Sequence, residues 1–306
     1  MASTAPQAAL DIRNVLIATD FSACSNRALL HAIAAARHFG STLHVAHVVR
    51  PMLFSFCAPE GYMGVVESEL RVSALAHRDA RKIVAELLRR THSENVRFET
   101  HVDVGLAGEM VCAEIERQHI DLAVVGTHAK KGLQHLVMGS VAEDVFRRAV
   151  CPVLTVGPRS WHSDPESVQL KHILFPTDLS AASQRAVALV QAIATDFDAD
   201  VTMLHVVRSL SQAAAGDRTR VLAGIEDRMR EMMNDGTAAC PVHYLVRTGE
   251  VVGNVLTAIE ETRADLVAFG LKAPNFYADR LPWKHAYDVI CQASCPVLSL
   301  RIDATN

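Results

Sequence analysis

Short apolar runs alternate along the chain with longer stretches in which apolar residues recur three and four positions apart. The runs Asn14–Asp20, Thr42–Val49, Arg97–Val104, Leu122–Val125 and Val153–Val156 read as strands. Between them lie helical patterns over 26–39, 66–90, 107–118 and from Ser140 to about Arg148. The second of these is long and amphipathic, with Leu70, Leu75, Ile83, Leu87 and Leu88 among its apolar positions and arginines between them. From His172 the order repeats: strands at 172–178, 200–207, 242–246, 266–269 and 297–300, with helices over 183–196, 218–234, 251–261 and 284–292. Strands that alternate with helices predict parallel sheets covered on both faces.

The repetition is literal in places. NVLIATDFS (Asn14–Ser22) matches HILFPTDLS (His172–Ser180), and TLHVAHVV (Thr42–Val49) matches DVTMLHVV (Asp200–Val207). Asp20 to Asp178 and His47 to His205 are both offset by 158, whereas Asp121 to Asp265, Gly126 to Gly270 and Cys151 to Cys295 are offset by 144. A constant offset that drops once places a single 14-residue shortening between His205 and Asp265, opposite the Pro-, Gly- and aromatic-bearing loop Pro51–Val65. The expectation is two tandem α/β domains at 1–157 and 170–306, joined by a polar, proline-bearing linker at 158–169.

Composition narrows the function classes. Half of the 306 residues are hydrophobic and only 5% aromatic. A net charge of −4 lacks the basic footprint of a nucleic-acid binder. Residues 1–13 lack a secretory pattern and no run of about 18 apolar residues occurs, so the expectation is a cytoplasmic protein with neither membrane nor nucleic-acid partner. The seven cysteines include no CxxC pair and read as buried thiols. His44 and His47 stand three apart on one strand, hence on opposite faces, and are not a ligand pair. No metal site and no catalytic group is expected.

Chemistry concentrates in DLAVVGTHAKKGLQHLVMGSVAEDVFRRAVCPVLTV, Asp121–Val156. A buried strand ends at Gly126, a loop carries Gly132, Gly139, Lys130 and Lys131, and Ser140 opens a helix. Glycine lets backbone N–H groups approach an anion, and a helix start adds partial positive charge. The P-loop motif is absent, because no Gly-Lys-Ser/Thr follows four residues after a glycine.

The spacing Gly126, two residues, Ala129, nine residues, Gly139, Ser140 resembles the signature of the universal stress protein family, with alanine in place of the second glycine. The resemblance covers about residues 13–301. It implies Rossmann-like domains of the adenine nucleotide alpha hydrolase-like kind, each a five-stranded parallel sheet with helices on both faces. It also implies that Ala18, Thr19, Asp20 and Val48 meet the adenosine end of one ATP, with or without magnesium. Gly126, Thr127, Ala129, Lys130, Gly132, Gly139, Ser140 and Val141 would take the phosphates. Lys130, Lys131, His128 and His135 read first as solvated loop residues and second as phosphate partners, and Asp20 with Ser22 also reads as a turn that starts a helix. In the family, the last strands of two units pair antiparallel, so Val153–Val156 and Val297–Leu300 are expected to pair within one chain as a pseudo-dimer, with a further homodimer left open.

The second copy departs from the signature. Its counterparts of Ala129, Gly139 and Ser140 are Ala273, Trp283 and Lys284, and Pro274 removes a donor. Either Trp283 fills the space a phosphate needs or it packs against the sheet; both predict a degenerate phosphate loop. Three functions follow: a stress-response module that binds ATP in its N-terminal unit and signals to a protein partner, a nucleotide-free scaffold of the same fold, or a weak ATPase or nucleotidyl transferase. The first is expected and the last least, because Asp20 belongs at the end of the ligand opposite the γ-phosphate.

Overall fold

The structure, a computed structural model, describes residues 10–49, 62–127, 138–160, 170–209, 215–233, 240–272 and 280–302. In the first unit β1 (Asn14–Ala18), α1 (Ala23–Phe39), β2 (Thr42–Val49), α2 (Tyr62–Arg90), β3 (Phe98–Val104), α3 (Ala107–Arg117), β4 (Leu122–Gly126), α4 (Ser140–Arg148) and β5 (Val153–Val156) follow in order. The second unit repeats them as β6 (His172–Thr177), α5 (Ala181–Phe197), β7 (Asp200–Val207), α6 (Ala215–Met232), β8 (Val242–Thr248), α7 (Val251–Thr262), β9 (Leu266–Lys272), α8 (Arg280–Gln292) and β10 (Val297–Ile302).

Several boundaries differ from expectation by a few residues, and two of them bear on the loops at the strand ends. Tyr62–Val65, expected in a loop, form the first turn of α2. Strand β9 continues through Gly270 to Lys272, because β10 offers a parallel ladder as far as Ile302 opposite Lys272. In the first unit β4 stops at Gly126, opposite Val156.

All ten strands form one sheet in the order β3-β2-β1-β4-β5-β10-β9-β6-β7-β8. Within each unit the pairs are parallel. The units meet where β5 and β10 pair antiparallel, Leu154 opposite Leu298, so the expected intrachain pairing is present and neither of these strands is left as a sheet edge. The central strands are buried on both faces: Val15, Leu16, Ile17, Ala123 and Val124 are fully inaccessible. One core lies under α1, α2, α5 and α6, the other under α3, α4, α7 and α8.

Helices α1 and α5 lie side by side over the unit junction. His38 and Asp196 approach to 2.6 Å, and His38 stacks on Phe197 at 4.0 Å. Between these helices and the Leu154–Leu298 step lies a cavity of about 620 Å³. Matching residues of the two units face each other across it, among them Phe39 and Phe197, Asp121 and Asp265, and Pro152 and Pro296, whereas His31 of α1 stands where the second unit has Leu189.

Candidate functional site

Strand order reverses between β1 and β4, which makes the carboxyl ends of β1, β2 and β4 the position where doubly wound sheets take ligands. Ala18 ends β1 opposite Ala46, and Thr19 follows it, both buried, its N–H on the Ala46 carbonyl at 2.9 Å. Val48 stands two residues beyond Ala46 on β2, half-buried. His47 donates from Nδ1 to the Thr19 carbonyl at 2.8 Å and so pins the strand end; His205 does the same to Thr177 in the second unit at 2.8 Å.

Asp20 is exposed and its Oδ1 accepts from Ser22 N–H at 3.0 Å and from the Ser25 hydroxyl at 2.7 Å. Asp178 repeats both bonds, to Ser180 at 2.9 Å and Ser183 at 2.8 Å. These bonds and the neighbouring caps hold a tight turn in which Phe21 and Leu179 take φ of 58° and 59°, a strained value for such residues. The Asp178 carboxyl lies below its ordinary pKa: burial, the largest influence, acts upward, and the bonds from Ser180 and Ser183 outweigh it. The turn that starts each helix is therefore the observed work of Oδ1 in both units.

Gly126 has a different reason for being glycine than anion approach. A Cβ there would meet Cys24 O at 3.0 Å and Ser25 Cα at 3.1 Å, so the bare backbone serves the contact of β4 with α1. Gly270 is tighter still, against Ala186 Cβ at 2.8 Å and Ala182 O at 2.9 Å. Gly139 is the opposite case: nothing lies within 4 Å of a Cβ built on it, and it caps α4 without a side-chain hydrogen bond. Ser140 and Val141 open that helix, exposed and half-buried respectively. Thr127 is buried, its N–H on Val156 O at 3.0 Å, and its hydroxyl has no hydrogen-bond partner among the described residues. Ala129, Lys130 and Gly132, with His128, Lys131 and His135, lie outside the described residues.

Both ends of α4 are tied to the other unit. Met138 N–H donates to the Tyr287 hydroxyl of α8 at 2.9 Å, and Arg301 donates to Arg147 O at 3.1 Å. Trp283, also on α8, meets Phe146 of α4 edge to face at 4.9 Å and donates from Nε1 to Lys272 O at 2.9 Å.

That geometry decides between the two readings of Trp283. The ring packs in the unit interface and does not fill the strand ends, where the second unit keeps a cavity of about 230 Å³ lined by Pro176, Thr177, Asp178, His205, Arg208 and His285 among others. Of the two readings, packing is the one observed: the Phe146 face and the Lys272 carbonyl offer the ring an apolar contact and a buried hydrogen bond together.

Residues 11–157 and 169–301 each match the profile described as the Universal stress protein family. The chain belongs to the universal stress protein family. Among its relatives, a universal stress protein of Methanocaldococcus jannaschii is 29% identical over 144 residues, which cover 47% of this chain and 81% of that one. The universal stress protein A homolog 1 of Coxiella burnetii is 33% identical over 147 residues, 47% of this chain and 95% of that one. A crystal structure of a universal stress protein from Archaeoglobus fulgidus superposes with a TM-score of 0.68 at 17% identity, covering 94% of this chain and 98% of that one, which shows the same fold. Matches of about half this chain to nearly whole relatives fit a tandem of two universal stress protein units. No helix among the described residues is long and apolar enough to cross a membrane.

Two contributions escaped sequence reasoning. Tyr287 belongs to the other unit and carries no local signal of contact with Met138. His47 was legible only as a repeat landmark; the bond to Thr19 needs the register of β1 on β2.

Proposed function

We propose that the N-terminal unit binds one ATP per chain and that the bound state, rather than a chemical step, is what a protein partner reads. The observation that carries this reading is the start of α4 at Gly139, which among the described residues has no side-chain cap and nothing within 4 Å of a Cβ built on it, in the segment that follows the carboxyl end of β4. A helix N-terminus without a side-chain cap presents unpaired N–H groups and favours a phosphate. The Thr127 hydroxyl, without a hydrogen-bond partner among the described residues, adds a polar group suited to the same ligand. Ala18, Thr19, Asp20 and Val48 would then border the adenosine end, and Gly126, Thr127, Ala129, Lys130, Gly132, Gly139, Ser140 and Val141 the phosphates. Gly126 would contribute through its placement of α1, and a magnesium ion accompanying ATP would be held by phosphate oxygens. The bond from Met138 to Tyr287 gives the second unit a direct hold on the phosphate loop, so that occupancy of the first unit is felt in the second.

A nucleotide-free scaffold is the second reading, favoured by the use of Oδ1 of both Asp20 and Asp178 in a helix-starting turn. Calorimetric titration of ATP with magnesium separates the two: the proposal expects one saturable site per chain, and heat no larger than dilution would favour the scaffold. Cytoplasmic residence and a further homodimer belong to the same proposal; sedimentation with and without ATP tests the second.

A further inference from the structure

The parallel register of β2 on β3 places His44 opposite Glu99 and Ala46 opposite His101. Residues two apart on a strand share a face, so His44, Glu99 and His101 project together toward α3. Their donor atoms cluster: His44 Nδ1 lies 3.1 Å from His101 Nε2, and Glu99 Oε2 lies 4.0 Å from each.

Hydrogen-bond counting shows what this cluster lacks. The Asn14 amide nitrogen donates to His119 O at 3.3 Å, which turns Oδ1 toward His44 Nε2, also at 3.3 Å. His44 therefore donates from Nε2 and leaves Nδ1 bare. His101 donates from Nδ1 to Glu114 Oε1 at 2.9 Å, and Glu114, buried on α3, is itself held by Arg117 and by Gln118. His101 therefore leaves Nε2 bare. Two lone pairs 3.1 Å apart repel unless a cation lies between them.

From this we propose that His44, Glu99 and His101 form a site for a divalent cation of the zinc type. A point equidistant from atoms spaced 3.1, 4.0 and 4.0 Å apart lies about 2.2 Å from each, within reach of zinc–nitrogen and zinc–oxygen bonds of about 2.0–2.2 Å. Two imidazoles and a carboxylate are a zinc ligand set that leaves a fourth position for water. Glu99 is 60% exposed, so that position opens to solvent. Glu114 on His101 and Asn14 on His44 are the outer partners that fix the ring orientations of metal-bound histidines. The fold does not need the cluster: the second unit has Thr202, His243 and Leu245 at the matching register positions.

The test is calorimetric titration of Zn²⁺ alone into the metal-stripped full chain, beside His44→Thr, which copies the second unit, and Glu114→Gln. The site predicts one zinc per chain in the wild type and an affinity at least about 100-fold lower in His44→Thr. Glu114→Gln should lose about 10- to 100-fold, the usual effect of removing an outer partner. Cobalt substitution adds a spectroscopic readout: visible d–d bands of a four-coordinate ion that vanish in His44→Thr while its far-UV circular dichroism stays that of the wild type. Absence of zinc binding, or binding of equal strength in wild type and His44→Thr, overturns the proposal. So does ¹⁵N spectroscopy that finds a proton shared between the two rings with zinc present.

Discussion

Replacing His31 by leucine, the residue at the matching place in the second unit, should flatten the acid limb of the stability curve. His31 is 7% exposed in the wall of the cavity over the unit junction and has no hydrogen-bond partner among the described residues. Burial alone pushes its pKa from 6.5 down to about 4. Between those values the unfolded chain binds a proton that the folded chain refuses, so stability is intact above pH 6.5 and falls as the pH drops toward 4. A displacement of this size corresponds to about 3 kcal/mol in full, of which about 2 kcal/mol is already lost at pH 5. Asp11, Asp121 and Asp265 line the same cavity, but both proteins keep them and their influence largely cancels in the difference. Urea denaturation followed by circular dichroism, at pH 7.5 and pH 5, measures it. The His31→Leu chain should gain about 2 kcal/mol on the wild type between the two pH values. Parallel profiles would show that His31 takes up its proton in the folded state and would refute the reasoning.

Other outcomes follow from single contacts. Gly270→Ala should destabilise by about 1–3 kcal/mol in chemical denaturation and Gly126→Ala by somewhat less, because the new methyl meets backbone at 2.9 Å in the first case and 3.0 Å in the second; Gly139→Ala meets nothing among the described residues and should cost about 0.5–1 kcal/mol, the preference of a helix N-cap for glycine over alanine. Tyr287→Phe removes the acceptor of Met138 N–H and should cost about 1–3 kcal/mol by thermal unfolding, together with a several-fold loss of ATP affinity if the loop is the phosphate site. Burial raises the thiols of Cys151 and Cys295 to about 12 and Cys291 to about 11, so iodoacetamide at pH 8 should leave these three unmodified in the folded chain and label them in urea, as mass spectrometry would show.

Much of the architecture was legible because it depends on local pattern. Apolar runs of strand length, the serine-started helices and the changing repeat offset were enough to place two βα units and to bring Val153–Val156 beside Val297–Leu300. Trp283 was only half legible: its position opposite Gly139 is a matter of counting, but its direction is set by Phe146, a residue of the other unit. Gly126 misled for a related reason, since a glycine needed for close helix contact and one needed for a phosphate are written with the same letter. The His44–Glu99–His101 cluster was invisible because spacing within one strand says nothing of the neighbour's register. Legible spacing also did not separate the two uses of Asp20, which the bonds from Ser22 and Ser25 assign to the turn.

Calorimetric titration of ATP with magnesium into the stripped full chain, beside Gly139→Trp, tests the central claim most directly. One nucleotide per chain in the wild type and none in the variant is the predicted result. Two per chain, with the second in the cavity between Asp178 and Arg208, would contradict the assignment to the first unit alone, and none in the wild type would contradict nucleotide binding itself.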